Sequence, residues 1–329
     1  MALHLLKTAV SVFLLAAPSI ALAKDTTRIS RVGVIMTGTP KDHGNLLPML
    51  RKGLQALGYV EGRNFLLEPR YDMRDRSRLQ KLAEELLQLK VKVIVVTGAG
   101  AARAARRASP TTPIVVAVAG DLVGSGLVGS LSKPGGNITG NTSFSGQLTP
   151  KQMQLLKEAI PGLRRVGALY SSRRQSSHMA KSFGEMKAAA PSLGLVVQGF
   201  GVREKSDLEG AFAAMAEART GALIVIVSRL TSVHRKEIIR LAANSKIPMM
   251  CFRPSMARQG CFMSYGADRS ALYRHAATFV HKILQGAKPG DLPIQQATKF
   301  NFTINLKRAK ALGITVPQSL LLRADEVIE

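Results

Sequence analysis

Val93, Ile94, Val95 and Val96 are four successive β-branched residues, and Thr97-Gly98-Ala99-Gly100 carry them into an Ala-rich stretch that runs past Ala105. A run that is apolar at every position, without alternation, suits a strand covered on both faces. It therefore calls for a parallel sheet with helices on each side. The small residues turn the chain from strand into helix, and such a junction offers unpaired backbone N–H groups and the positive end of a helix dipole. With the Thr97 hydroxyl beside it, this end suits a carboxylate or a phosphate. Thr97, Gly98, Ala99, Gly100 and Ala101 are thus the first candidate ligand-binding residues. The competing reading is that a βαβ turn simply needs small residues.

The same alternation runs through the chain twice. The first run predicts strands at Val32 to Met36, Asn64 to Pro69, the Val93 run and Ile114 to Val118, with helices ending near Gly58 and over Arg76 to Leu89. The second predicts strands at Arg165 to Tyr170, Leu195 to Phe200, Ala222 to Val227, Pro248 to Phe252 and Cys261 to Tyr265, with helices Thr149 to Ala159, His178 to Ala190, Ser206 to Ala216 and Val233 to Ala243 between them. Strands separated by helices of this length make βαβ units, and the chain is long enough for two domains. The later helix Arg269 to Leu284 and the tail Phe300 to Leu312 either extend the second lobe or cross back to the first. Crossing back would make a hinge. Ligands of open α/β sheets lie beyond the carboxyl ends of the strands, which nominates Thr37, Gly38, Gly120, Asp121, Tyr170, Ser172, Arg173, Ser228, Phe252, Arg253 and Tyr265 alongside the Thr97 turn. Asp121 reads equally as a turn cap, and the three aromatics as core residues.

The first 23 residues hold Lys7 as their one formal charge, an apolar core from Ala9 to Ala17, and Ala21-Leu22-Ala23 before Lys24. This is the pattern of a secretory signal cleaved after Ala23, and it places the mature protein in the periplasm. Removing it takes the net charge from +25 to +24. A charge this large suggests nucleic acid, but export argues against that partner and leaves a membrane surface, an anionic ligand or solubility. Cys251 and Cys261, the two cysteines, either form one disulfide or remain buried thiols. No metal-ligand spacing exists among the six histidines. Gly98-Ala99-Gly100-Ala101-Ala102-Arg103 puts Arg103 where a dinucleotide fingerprint needs its third glycine, so no cofactor is expected. No acid, base and nucleophile set converges on the strand ends, so no enzyme is expected either.

Leu57-Gly58-Tyr59-Val60-Glu61-Gly62-Arg63-Asn64, Asp121-Leu122-Val123-Gly124-Ser125-Gly126-Leu127-Val128, Ser132-Lys133-Pro134-Gly135-Gly136-Asn137-Ile138-Thr139-Gly140, Met263-Ser264-Tyr265-Gly266-Ala267-Asp268 and Asn305-Leu306-Lys307 together carry a resemblance. With them the chain resembles the ABC-transporter substrate-binding proteins of the tryptophan/tyrosine-type group. The resemblance implies a type I periplasmic-binding-protein fold: two Rossmann-like lobes with central parallel sheets joined by a three-crossing hinge. It places residues 24–142 with about 266–295 in one lobe and 143–265 with about 296–329 in the other. It also implies a monomer that closes on a small molecule, an amino acid or an aromatic or organic acid, and delivers it to an ABC permease at the inner membrane. A ligand-sensing protein that presents its ligand to a membrane receptor is the alternative. A sugar-binding-type regulator of similar fold would need a helix-turn-helix where this chain has its export signal. The chain departs from the family at Ser171-Ser172-Arg173-Arg174-Gln175 and at Ser228-Arg229, where relatives often place acidic or Asn-Pro residues. Arg173, Arg174, Arg229 and Arg253 instead point to a ligand more negative than a neutral amino acid, or else form a solvated rim.

Overall fold

The computed structural model describes residues 29–143, 148–172 and 177–329. The export segment 1–23 and the candidate Arg173, with its neighbours Arg174 and Gln175, lie outside the described residues.

In chain order the strands are β1 (Ser30–Met36), β2 (Phe65–Tyr71), β3 (Val93–Thr97), β4 (Ile114–Ala119), β5 (Ile138–Thr142), β6 (Arg165–Ser171), β7 (Val196–Val202), β8 (Ala222–Val225), β9 (Met249–Cys251), β10 (Met263–Ala267), β11 (Gln295–Gln296), β12 (Phe300–Asn305) and β13 (Glu326–Ile328). They form two sheets, ordered β11-β5-β4-β3-β1-β2 and β13-β12-β10-β9-β8-β6-β7. Among the described residues every strand pairing is parallel except that of β10 with β12.

The unbroken apolar runs do what their pattern demands. Along β3, Val93 and Val95 pack with Leu50 and Leu54 of the helix Leu46–Gln55 and with Tyr273, while Ile94 and Val96 face Leu79, Leu86 and Ala102 on the opposite side. β8 divides in the same way. Ala222 and Ile224 meet Met153 and Leu156, and Leu223 and Val225 meet Phe212 and Ile238. Each fully buried Val, Leu or Ile contributes about 1.5–3 kcal/mol, so two helix-covered faces per sheet supply most of the driving force for folding.

The chain leaves the first sheet after β5, builds β6 to β10, and returns through the helix Arg269–Leu284, which packs into the first sheet's core, and through β11. It then crosses again to β12. Within each sheet the order reverses once, between β1 and β3 and between β6 and β8. Crevices at such switch points are where open α/β sheets hold ligands.

Several elements differ from the sequence expectation, among them β11 and β13, strands outside it. β5 (Ile-Thr-Gly-Asn-Thr) is a fully buried strand that the pattern does not announce. Arg76 to Leu89 is a 3-10 turn, Arg76–Arg78, followed by the helix Leu79–Gln88. The expected loop from Ser228 is the cap of a short helix, Arg229–Val233.

Candidate functional site

The carboxyl ends of β1, β3 and β4 from one sheet and of β8, β9 and β10 from the other border a single cavity of about 390 Å³. That volume lies within the roughly 300–1,000 Å³ typical of small-molecule sites. Thr37, Gly38, Thr97, Gly98 and Gly120 line it from the first sheet, and Ser228, Phe252 and Arg253 from the second. Gly38 and Gly98 have φ of +118° and +85°, a region that side-chain-bearing residues avoid, and this lets the backbone turn sharply at the cleft edge. Gly98 donates its N–H to Val118 O at 2.8 Å, joining the ends of β3 and β4. It then caps the helix Ala99–Ala108, whose first-turn N–H groups lack intrahelical partners.

The other candidates lie elsewhere. Ala99, Gly100 and Ala101 are in the first turn of that helix but off the cavity lining: Ala101 is core, and a Cβ on Gly100 would come within 3.3 Å of Arg76 Nη1, so Arg76 stands over the helix tip. Asp121 borders a second, smaller hollow and accepts the Gly124 N–H at 2.8 Å, the turn-capping arrangement. Tyr170 packs on Phe183 with ring centroids 5.7 Å apart, and Ser172 continues the edge pairing by donating its N–H to Val202 O. Both lie on the β6–β7 side of the second sheet, whereas the cavity sits over β8 to β10. Tyr265 is stacked on Phe300 at 5.6 Å within the second core. An aromatic residue at a strand end carries no sign of which neighbour it will meet. Cys251 and Cys261 are joined in a disulfide with a Cα–Cα distance of 6.4 Å.

Comparison with known proteins adds the family. The family model for ABC transporter substrate binding protein matches residues 46–328. The chain belongs to this family. A curated relative, the tyrosine-binding protein of Clostridioides difficile, is 24% identical over 80% of this chain and 75% of its own length. Among solved structures, an ABC domain from Streptococcus pneumonia in complex with L-Trp is 26% identical with a TM-score of 0.81, over 92% of this chain and 100% of that one. A conserved domain protein from Vibrio cholerae is also 26% identical, with a TM-score of 0.80 over 91% and 100% of the two chains. The two helix-flanked sheets are thus those of a type I periplasmic binding protein. Among the described residues no helix is long and apolar enough to cross a membrane.

The charge in this substrate-binding protein's cleft comes largely from residues that strand-end reasoning does not reach. Lys41, Arg74, Arg76, Arg229, Arg235, Arg253 and Arg269 line it, against two carboxylates, Asp42 and Asp72. Both carboxylates are engaged. Asp72 is buried and accepts the N–H groups of Gly38 at 2.6 Å and Arg74 at 2.9 Å. Asp42 accepts from Thr39 and Arg74 and, across the cleft, from Arg235 at 3.3 Å. Burial alone would raise the Asp42 pKa, but the Arg74 and Thr39 hydrogen bonds and the Arg74 charge hold it far below the usual range. Thr97 is linked to the buried Tyr273 hydroxyl, and Ser228 Oγ accepts the Thr231 N–H at 3.1 Å, so both polar walls are tied from behind. Two signals pointed to the missed residues. Asp72 and Arg74 follow β2 once that strand is extended to Tyr71, and Arg269 is the first residue after the Asp268 cap.

His43 is buried in this wall and donates Nε2–H to Thr37 O at 2.9 Å, while its Nδ1 has no partner among the described residues. Burial, then the positive charges of Arg269 and Arg253, push its pKa from 6.5 down to about 4, against the opposing pull of the Thr37 bond and Asp42. The folded pKa is below the unfolded one, so the stabilisation from keeping the ring neutral is complete above pH 6.5 and is lost as pH falls toward about 4. Over that window His43 should account for about 3 kcal/mol of the stability lost. Urea unfolding at several pH values should show a shallower decline for His43→Gln than for the parent. Parallel declines would place the titration elsewhere.

Proposed function

We propose that the protein is the exported, periplasmic solute-binding component of an ABC importer, and that it closes two lobes on a small carboxylate-bearing molecule before passing it to an inner-membrane permease. On this reading residues 24–142 with about 266–295 form one lobe and 143–265 with about 296–329 the other, the three crossings act as hinge, and residues 1–23 are removed on export. The observation that carries the reading is the cavity at the carboxyl ends of both sheets, which is rich in guanidinium groups. Carboxylates are what such groups bind best, two parallel N–H···O bonds at a time. The tip of the helix Ala99–Ala108, with Arg76 standing over it, adds backbone donors. Tyrosine and L-Trp, named for the two relatives, both carry a carboxylate. Thr37, Gly38, Thr97, Gly98, Gly120, Ser228, Phe252 and Arg253 are assigned the ligand contacts, and the protein acts as a monomer without catalysis.

The test is to purify the mature protein from periplasm under gentle conditions, unfold it, and identify by mass spectrometry what is released. One organic acid per chain, unaltered after incubation, is the expected result. Release of a sugar, or chemical conversion of the bound acid, would remove this reading.

A further inference from the structure

Arg76, Arg229, Arg253 and Arg269 all line the cleft, and among the described residues none of them meets a carboxylate. Their positions are not random. Arg76 follows β2, and Arg269 opens a helix that packs into the first sheet's core; Arg229 follows β8, and Arg253 follows β9, both in the second sheet. Arg76 feels first the loss of water and then the charge of Arg229, and Arg253 feels the loss of water and then the charge of Arg269. Each like-charged pair therefore takes one member from each side of the cleft. Arg253 and Arg269 are the more buried pair and Arg76 and Arg229 the more exposed.

We propose that the ligand is a compact dianion with two separated acid groups and no ammonium group, one acid seated between Arg253 and Arg269 and the other between Arg76 and Arg229. The proposal rests on the cleft being the ligand site. Guanidinium groups on opposite walls repel, and the repulsion grows as closing walls expel water. A carboxylate placed between two of them converts each repulsion into charge-assisted hydrogen bonds to both lobes, so the ligand's charge couples binding to closure. An ammonium group gains nothing comparable, because Asp42 and Asp72 already hold Arg74, Arg235 and backbone N–H groups. Phe252 gives the ligand's carbon frame an apolar surface, with the Arg253 guanidinium 5.2 Å from its ring centroid.

Calorimetry on the ligand-free mature protein tests this with succinate, glutarate and phthalate, the monoamide of whichever binds tightest, L-tyrosine, L-tryptophan and inorganic phosphate. A dicarboxylate should bind one to one, and its monoamide, tested on the unaltered protein, about 10- to 100-fold more weakly. Arg76→Gln and Arg253→Gln should each weaken the dicarboxylate over a similar range, and Arg240→Gln on the outer surface should leave it unchanged. Scattering should show compaction with the dicarboxylate and not with L-tyrosine. If L-tyrosine or L-tryptophan binds tighter than every dicarboxylate, the dianion proposal falls while the cleft stands as the site. It falls in the same way if phosphate binds and dicarboxylates do not. If Arg253→Gln leaves the binding of every probe untouched, the cleft itself is not the site.

Discussion

Replacing Gly140 by alanine should cost about 3–5 kcal/mol, a large share of the roughly 5–15 kcal/mol that holds a typical domain folded. Gly140 sits in β5 with φ of +129°, and a Cβ there would lie 2.2 Å from Val116 O and 2.5 Å from Val116 N. Both are backbone atoms of β4, paired directly with Gly140, so no side chain can swing aside. Either the β4–β5 ladder parts or the strand adopts a strained conformation, and each route costs on the order of 1–3 kcal/mol or more. Beyond Val116, β4 leads straight into Val118, Ala119 and Gly120 of the cleft wall, so the surviving folded fraction should also bind ligand poorly. Gly210→Ala is the matched control. Gly210 lies inside the helix Asp207–Glu217 with open space around it, and alanine should stabilise the protein there by about 0.5–1 kcal/mol. Urea midpoints read both changes, and a Gly140→Ala midpoint near the parent's would mean that β4 and β5 are not paired in this register.

The reason β5 escapes sequence reading is the same chemistry that makes it rigid. Thr139, Asn141 and Thr142 look like loop residues, yet all three are buried because their side chains find backbone acceptors: Leu292 O for Thr139, Ala117 O and Leu272 O for Asn141, Gly120 O for Thr142. Those partners are up to 153 residues away, and hydrophobic periodicity has no access to them. β3 and β4 were legible for the opposite reason: doubly covered parallel strands must be apolar throughout, and helix Arg269–Leu284 begins and ends where its pattern does. The site divides along the same line. Strand ends were readable, and with them Thr37, Thr97, Ser228 and Phe252, which line one cavity. Arg76 and Arg235 were not, because a chain with 46 Lys and Arg residues gives no sign of which few turn inward, and Arg74 and Arg269 carried only the positional signals of following β2 and the Asp268 cap.

Removing the disulfide should produce the second large effect, and one felt at the cleft as well as in stability. Cys251 and Cys261 are fully buried, ten residues apart, and the loop they close carries Phe252, Arg253 and the short helix Pro254–Ala257. Closing a loop of this size restricts the unfolded chain by about 2.5–3 kcal/mol, which Cys251→Ala with Cys261→Ala should forfeit. The far half of the loop keeps other anchors: Met256 is buried, Cys261 N–H reaches Met256 O at 3.1 Å, and Asn305 Nδ2 donates to Ala257 O at 2.8 Å. Phe252 and Arg253 lie on the near half, before those anchors, so they should loosen first. Re-ordering them on binding adds about 0.5–1.5 kcal/mol per side chain, or about a 5- to 150-fold loss of affinity for the two together. Thermal unfolding and calorimetry with and without dithiothreitol separate the contributions: the parent should fall to the double variant's values on reduction, and the double variant should not respond. A parent whose thiols are freed by the reductant without any change would show that the Met256 packing and the Met256 and Ala257 hydrogen bonds hold the wall without the disulfide. A response would tie a competent cleft to an oxidising compartment, the condition that export through the segment ending at Ala23 would provide.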